Sequence, residues 1–215
     1  MQKTLFINSK IKKFNKKIEI VGDKSLSIRW VLLASQAIGK SKGYNLLMSE
    51  DVLAALDSIK KLGIKVKIQK DYCEILGNGI NGFKYKKNLT VNARNSGTLS
   101  RLLLGLLIKS PIKIRIIGDK SLSKRDFSRV TEPLEKFGAK FFYKRKNKLP
   151  LSILGAKLSK GINFFENKGS AQCKSSIMLA SLNTSGQTSI KAKKSRDHTE
   201  LLFKYLKIPI KIKKT

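Results

Sequence analysis

Cysteine and histidine are nearly missing from this 215-residue chain, which holds Cys73, Cys173 and a single His198. That excludes a disulfide framework and any cluster with zinc or iron–sulfur spacing, and it points to a reducing compartment. Acidic residues are scarce too, 14 Asp and Glu against 46 Lys and Arg, for a formal charge of +32. Within that excess arginine is the rarity. Only eight of the basic residues are arginine (29, 94, 101, 115, 125, 129, 145 and 196), and the lysines run evenly along the chain. A protein that reads bases or grips phosphates bidentately favours arginine. No aromatic-plus-basic motif accompanies the charge, so a basic nucleic-acid-binding module is the weaker reading of it. Long apolar runs are missing as well. The longest, residues 102–108, is far too short to span a bilayer, and residues 1–17 hold lysines but no apolar stretch of a secretory signal. With 41% hydrophobic and 7% aromatic residues, a packed core is nevertheless within reach. The expectation is a soluble, cytoplasmic protein with no membrane, no specific nucleic-acid partner, no metal and no cofactor.

What the chain does have is repetition. Gly22-Asp23-Lys24-Ser25-Leu26-Ser27-Ile28-Arg29 returns as Gly118-Asp119-Lys120-Ser121-Leu122-Ser123-Lys124-Arg125, alike at seven of eight positions. A softer pattern, an amphipathic helix end followed by an alternating strand, occurs at 59–66 and 134–141 and, without its glycine, at 202–208. Gly63 and Gly138 suit the left-handed position that closes a helix. The spacing implies three units of about 70 residues, each read as β-α-β-α-β-β. In the first, a strand over 18–20 and a turn over 22–24 precede a helix over 25–38, apolar nearly all round and therefore buried. A second helix follows the N-cap Ser49, with Val52, Ala55, Leu56, Ile59 and Leu62 as its core face, then strands around 66–68 and 73–75. The second unit reads as a strand at 89–91, a turn at 95–98, a helix over 99–108 and a strand over 112–117. A turn at 118–123 then leads into a helix to 137, with Pro133 in or near its first turn. In the third, residues 169–172 open a helix through 182, a strand spans 189–192, and residues 195–198 open the last helix.

Five of these helix starts are Gly/Ser turns carrying basic or amide groups: Lys24-Ser25, Ser96-Gly97-Thr98, Ser121 to Arg125, Ser170 to Gln172, and Ser195-Arg196. A helix N-terminus presents unpaired N–H groups and a partial positive charge, which together attract anions. One such start is ordinary capping; five aimed at one place would hold a multiply charged ligand. Rival motifs are weaker. Gly39-Lys40-Ser41 ends like a P-loop, but the first glycine of that motif would fall at Ala34, inside a helix. His198 has no nucleophile at motif spacing, and Cys73 reads as core.

These turns, in this order, resemble the signatures of the EPSP synthase (3-phosphoshikimate 1-carboxyvinyltransferase) family. The matching segments are Gly22-Asp23-Lys24-Ser25-x-Ser27-x-Arg29, Asn95-Ser96-Gly97-Thr98-x-x-Arg101 and Gly118-Asp119-x-Ser121-Leu122-x-Lys124-Arg125. Gly169-Ser170-Ala171-Gln172-x-Lys174-Ser175 and Ser195-Arg196-Asp197-His198-Thr199-Glu200 complete the series. The last two resemble the bacterial branch that includes glyphosate-tolerant members, which carry alanine where this chain has Gly97. The resemblance implies an α/β fold, an EPSP synthase-like inside-out α/β barrel domain of three β-α-β-α-β-β units with pseudo-threefold symmetry. It implies transfer of enolpyruvyl from phosphoenolpyruvate to the 5-hydroxyl of shikimate 3-phosphate, in the shikimate pathway to chorismate and the aromatic amino acids. Lys24, Ser25, Arg29, Ser170, Ala171, Gln172 and Arg196 would then bind shikimate 3-phosphate, with Ser170 and Arg196 on its phosphate. Lys24, Gly97, Arg125 and Gln172 would bind phosphoenolpyruvate, Lys24 being the catalytic residue that touches both substrates. Ala171 stands where the other branch has serine, which leaves only a backbone contact. Ile28 and Asp126 replace the polar residue and the proline usual at those positions.

The family has two similar domains of three units each, and this chain resembles the first. Residues 1–20 are thus expected to be an N-terminal strand segment that in the family pairs with the second domain. Residues 21–215 would be a first domain truncated near the end of its third unit, the second domain being absent, either lost or on a separate chain. In the family the acid–base carboxylates, a second lysine and further phosphoenolpyruvate arginines belong to that second domain. The fragment is therefore expected to be inactive alone, and the full enzyme a monomer. UDP-N-acetylglucosamine enolpyruvyl transferase shares the fold and chemistry, but it carries a reactive cysteine before the arginine matching Arg125, and residues 119–124 hold none.

Overall fold

The computed structural model describes residues 4–10, 13, 15 and 17–213. Its first helix, α1 (Lys24–Gln36), is capped by Asp23, whose Oδ1 accepts the Leu26 N–H at 2.7 Å, and it buries Ile28, Val31, Leu32, Leu33 and Ala34. It ends two residues short of the expected 38 because Ile38 already begins a strand, β1 (Ile38–Tyr44). The sequence gives no signal for β1, since Gly39-Lys40-Ser41-Lys42-Gly43 has no apolar alternation. Close packing holds it instead. A Cβ on Gly43 would lie 2.7 Å from the Trp30 ring, and one on Gly77 of the neighbouring strand 2.3 Å from the carbonyl oxygens of Ala34 and Ala37. The sheet thus rests directly on α1. After it come α2 (Glu50–Lys61), with all five expected core residues buried, and the strands β2 (Lys65–Ile68) and β3 (Tyr72–Asn78). They form an antiparallel sheet in the order β1-β3-β2. The strand expected at 18–20 is not there. Residues 17–22 have no ladder partner among the described residues; the Asn45 side chain comes within 3.5 Å of the Ile20 carbonyl, and Ile18 and Ile20 are exposed.

The second unit is complete: β4 (Thr90–Asn92), α3 (Gly97–Leu106), β5 (Ile114–Ile117), α4 (Ser128–Lys136), β6 (Lys140–Tyr143) and β7 (Leu151–Leu154). β4 and β5 are parallel, as a β-α-β crossover requires, in a sheet ordered β4-β5-β7-β6. The octapeptide repeat is here a repeated turn. Asp119 Oδ1 accepts the Leu122 N–H at 2.7 Å, the counterpart of Asp23 with Leu26. Each leading glycine faces a residue of positive φ, Gly22 against Asn45 and Gly118 against Arg94. The outcomes diverge, because the second turn launches only a 3-10 turn, Leu122–Lys124, that stops at Arg125. The helix expected from there to 137 is instead the separate α4, started by Asp126, whose carboxylate accepts the Ser128 N–H at 2.8 Å. Pro133 consequently lies well inside that helix and not in its first turn.

The third unit supplies β8 (Asn163–Glu166), α5 (Ala171–Ser181), β9 (Ser189–Ala192) and α6 (His198–Tyr205), with β8 and β9 parallel. Residues 206–213 form no strand. α2, α4 and α6 end alike: the N–H groups of Ile64, Ala139 and Ile208 reach back to the carbonyls of Ile59, Leu134 and Phe203. The residue before each has positive φ, Gly63 at 82°, Gly138 at 97° and Lys207 at 55°. The third copy therefore keeps the left-handed position although it has lost the glycine.

The expected barrel is not formed. Among the described residues the strands make three separate open sheets of three, four and two strands, and none closes on itself. Helices keep them apart: α3 packs on α1, α2, α4 and α5. A Cβ on Gly105 of α3 would lie 2.3 Å from the Ser176 carbonyl oxygen of α5, so these two backbones touch. Among the described residues no helix is long and apolar enough to cross a membrane.

Candidate anion-binding site

The helix starts converge on two adjoining cavities. One, of about 410 Å³, is lined by Ser25, Arg29, Ser170, Ala171, Gln172 and Arg196, with Ser195 and His198 beside them. The other, of about 530 Å³, is lined by Lys24, Gly97, Arg125 and Gln172, together with Asn95, Glu50 and Asp51. Thr98 and Gln172 line both. Each of the nine residues singled out in the sequence thus lies on one wall or the other. Four of the five expected helix starts are α-helix N-termini, those of α1, α3, α5 and α6. Arg125 is different: it caps the end of a 3-10 turn and brings a side-chain charge without a helix dipole.

In the first cavity Arg29 is buried yet fully oriented. Its Nε donates to Thr199 Oγ1 at 2.8 Å, Nη2 to Ser175 Oγ at 3.1 Å and Nη1 to the Ser25 carbonyl at 3.1 Å. The guanidinium has five N–H groups, so two remain for a ligand. Burial pulls its pKa down, Glu200 and Asp23 oppose that, and Arg196 adds to it. Ser170 caps α5 by accepting the Cys173 N–H at 3.2 Å. Its own N–H and that of Lys168 donate to the buried Glu166 carboxylate at 2.9 and 3.1 Å, which fixes the loop around Gly169. Beneath lies an ion pair between Lys174 and Glu200, both largely buried. No carboxylate lines this cavity.

The second cavity mixes charges. Lys24 Nζ lies 2.7 Å from Asp51 Oδ2, and Arg125 donates to Asn95 Oδ1 at 3.1 Å. A Cβ on Gly97 would meet Arg125 Nη1 at 2.9 Å and Arg101 Nη1 at 3.1 Å, so glycine here makes room for two guanidinium groups. Gln172, common to both cavities, is held from two sides. Arg101 Nη1 donates to its Oε1 at 2.7 Å, and its Nε2 donates to Thr98 Oγ1 at 3.0 Å. Burial lowers the Arg101 pKa, as do Arg125 and Arg129, while Asp126 opposes. Sequence reasoning missed Asp51 as part of the site: an acid in the first turn of a helix reads as a partner of the dipole, and only the tertiary approach of Lys24 says more. Neither cysteine lines either of these two cavities. Burial pushes the Cys173 thiol up to about 12 and raises that of Cys73, so neither is poised as a nucleophile.

The chain is similar to known proteins in sequence and in fold. A sequence profile of the family EPSP synthase (3-phosphoshikimate 1-carboxyvinyltransferase) matches residues 8–215. The chain is 39% identical over 204 residues to the 3-phosphoshikimate 1-carboxyvinyltransferase of Petrotoga mobilis, covering 94% of this chain and 47% of that one. The Bacillus subtilis enzyme of the same name is 39% identical over 193 residues, 89% of this chain and 45% of its own. Among solved structures, EPSP synthase from Acinetobacter baumannii superposes with a TM-score of 0.86 at 34% identity, over 92% of this chain and 45% of that one. The chain spans about half the length of the curated relatives it matches. With the sequence match and the fold in agreement, the chain belongs to the EPSP synthase family.

Proposed function

We propose that this chain carries the shikimate 3-phosphate side of an enolpyruvyl transferase site and part of the phosphoenolpyruvate side, in a cytoplasmic enzyme of aromatic biosynthesis. The observation that carries the reading is the convergence of nine family-type residues on two cavities that share Gln172. The first cavity, with two arginines, serine donors and no carboxylate, suits a phosphate monoester. The second, with Lys24 and Arg125, suits phosphoenolpyruvate, and Gln172 between them would touch both ligands. In the addition–elimination reaction Lys24 would stabilise charge on the transferring group, while the arginines orient the two anions. The groups that move protons would come from the other half of the fold, on this polypeptide or another. The expected N-terminal segment, of which 1–3, 11, 12, 14 and 16 lie outside the described residues, would pair with that half; the exposure of Leu5, Phe6, Ile7, Ile18 and Ile20 supports this.

The test is phosphate release from the two substrates. The 215-residue chain alone should give no turnover, and addition of a separately expressed second half of a relative should give some. Turnover by the chain alone would overturn the division of labour, since losing positioned acid–base groups costs on the order of 10²–10⁴ in rate.

Gly97→Ala should separate the two ligands. The added methyl meets the guanidinium ends of Arg125 and Arg101 at 2.9 and 3.1 Å and Leu122 at an ordinary 3.8 Å, so the fold accommodates it while those guanidinium groups shift. Phosphoenolpyruvate affinity is expected to fall about tenfold, the value of one weakened charge-assisted contact, and shikimate 3-phosphate affinity to stay nearly constant. Equal loss of both in calorimetry would make Gly97 a folding residue.

A further inference from the structure

Lys24 is already engaged in the second cavity. Its ammonium pairs with Asp51, whose side chain is 18% exposed against 50% for that of Lys24. Asp51 is fixed in the first turn of α2, where the helix dipole favours a carboxylate. Glu50 lines the same wall but forms no ion pair with Lys24 among the described residues. Arg125, across the cavity, donates to the neutral Asn95. The ammonium keeps N–H groups for a ligand, but an entering anion must share its charge with Asp51, whereas Arg125 has no acidic partner among the described residues.

We infer that Asp51 is a specificity-determining residue, a resident competitor for the charge of Lys24 that disfavours singly charged ligands more than those bringing two charged groups. The inference rests on the proposed function, which takes Lys24 as a phosphoenolpyruvate contact. A monocarboxylate offers Lys24 the charge that Asp51 already supplies, and it must also give up its translational freedom to bind. Phosphoenolpyruvate brings a phosphate and a carboxylate, which Lys24 and Arg125 can divide between them. Asp51 thus weakens every anion at this wall, and the singly charged ones most.

Calorimetry of the full 215-residue chain with phosphoenolpyruvate and with pyruvate tests this. Asp51→Asn, which keeps the side-chain shape, should bind phosphoenolpyruvate about fivefold tighter, given the modest strength of partly exposed ion pairs. It should also gain measurable pyruvate binding. Glu50→Gln should change either affinity by less than about twofold, because only the long-range field is altered. In a Lys24→Gln background the effect of Asp51→Asn should vanish. Asp51→Ser is the second variant and must show the same gain, which misfolding cannot mimic. Unchanged or weaker phosphoenolpyruvate binding in both Asp51 variants overturns the inference, as does an equal gain from Glu50→Gln. Shikimate 3-phosphate is titrated in parallel. Its failure to bind the unaltered chain counts against the proposed function, whereas its binding with no gain in the Asp51 variants counts against Asp51 alone.

Discussion

Lys174→Met should lower the unfolding free energy by about 3 kcal/mol, the lower end of the range for breaking a buried ion pair. The side chains of Lys174 and Glu200 are 13% and 11% exposed, and Glu200 Oε2 is buried without a hydrogen-bond partner. Removing the ammonium leaves a desolvated carboxylate with the Arg29 guanidinium as its remaining counter-charge, and that keeps the loss from being larger. The effect should also reach the site. Thr199, next to Glu200, orients Arg29 and shares a 2.7 Å hydrogen bond with Ser175, next to Lys174, so the pair ties α5 to α6 directly under the first cavity. Urea titration is the measurement. The double variant Lys174→Met/Glu200→Leu should recover most of the loss, because it removes both charges and leaves neither unpaired. A midpoint unchanged by Lys174→Met would mean that the pair is solvated and structurally idle.

How much was legible in the sequence varied with how local the cause was. The start of α1, the core face of α2, the strand at 189–192 and the opening of α5 all follow from capping and periodicity within a few residues. β1 was illegible because its glycines are selected by what packs on them, the Trp30 ring and the end of α1, and not by any pattern of their own. The strand expected at 18–20 failed for the complementary reason: Ile18-Glu19-Ile20 alternates well, but a strand also needs a neighbour, and the described residues offer none. The octapeptide repeat was legible as a turn yet misleading as a helix start in its second copy, where Asp126 begins α4 afresh. The site was clearer than the fold around it. The nine candidate residues came from the resemblance of the turns to the family's signatures, and all nine line the two cavities. Arg101 stood in a signature segment, but its hold on Gln172 and the approach of Asp51 to Lys24 are long-range contacts that no local spacing displays.

The expected discrimination between shikimate 3-phosphate and shikimate is the larger effect and the most direct test. If the first cavity is a phosphate site, the phosphate gains Arg196, the two free donors of Arg29, and the hydroxyl of Ser170 at the start of α5. Charge-assisted contacts contribute roughly 1.5–3 kcal/mol each, so two well-formed ones amount to a preference on the order of 100-fold or more. Shikimate shares the ring and hydroxyls but leaves both arginines facing water. The measurement is isothermal calorimetry of the 215-residue chain with each compound at fixed ionic strength, since a chain of charge +32 attracts any anion weakly. A preference of about 100-fold for the phosphorylated compound, lost in Arg196→Leu, is the result expected. Equal affinity for the two would contradict the assignment of the first cavity.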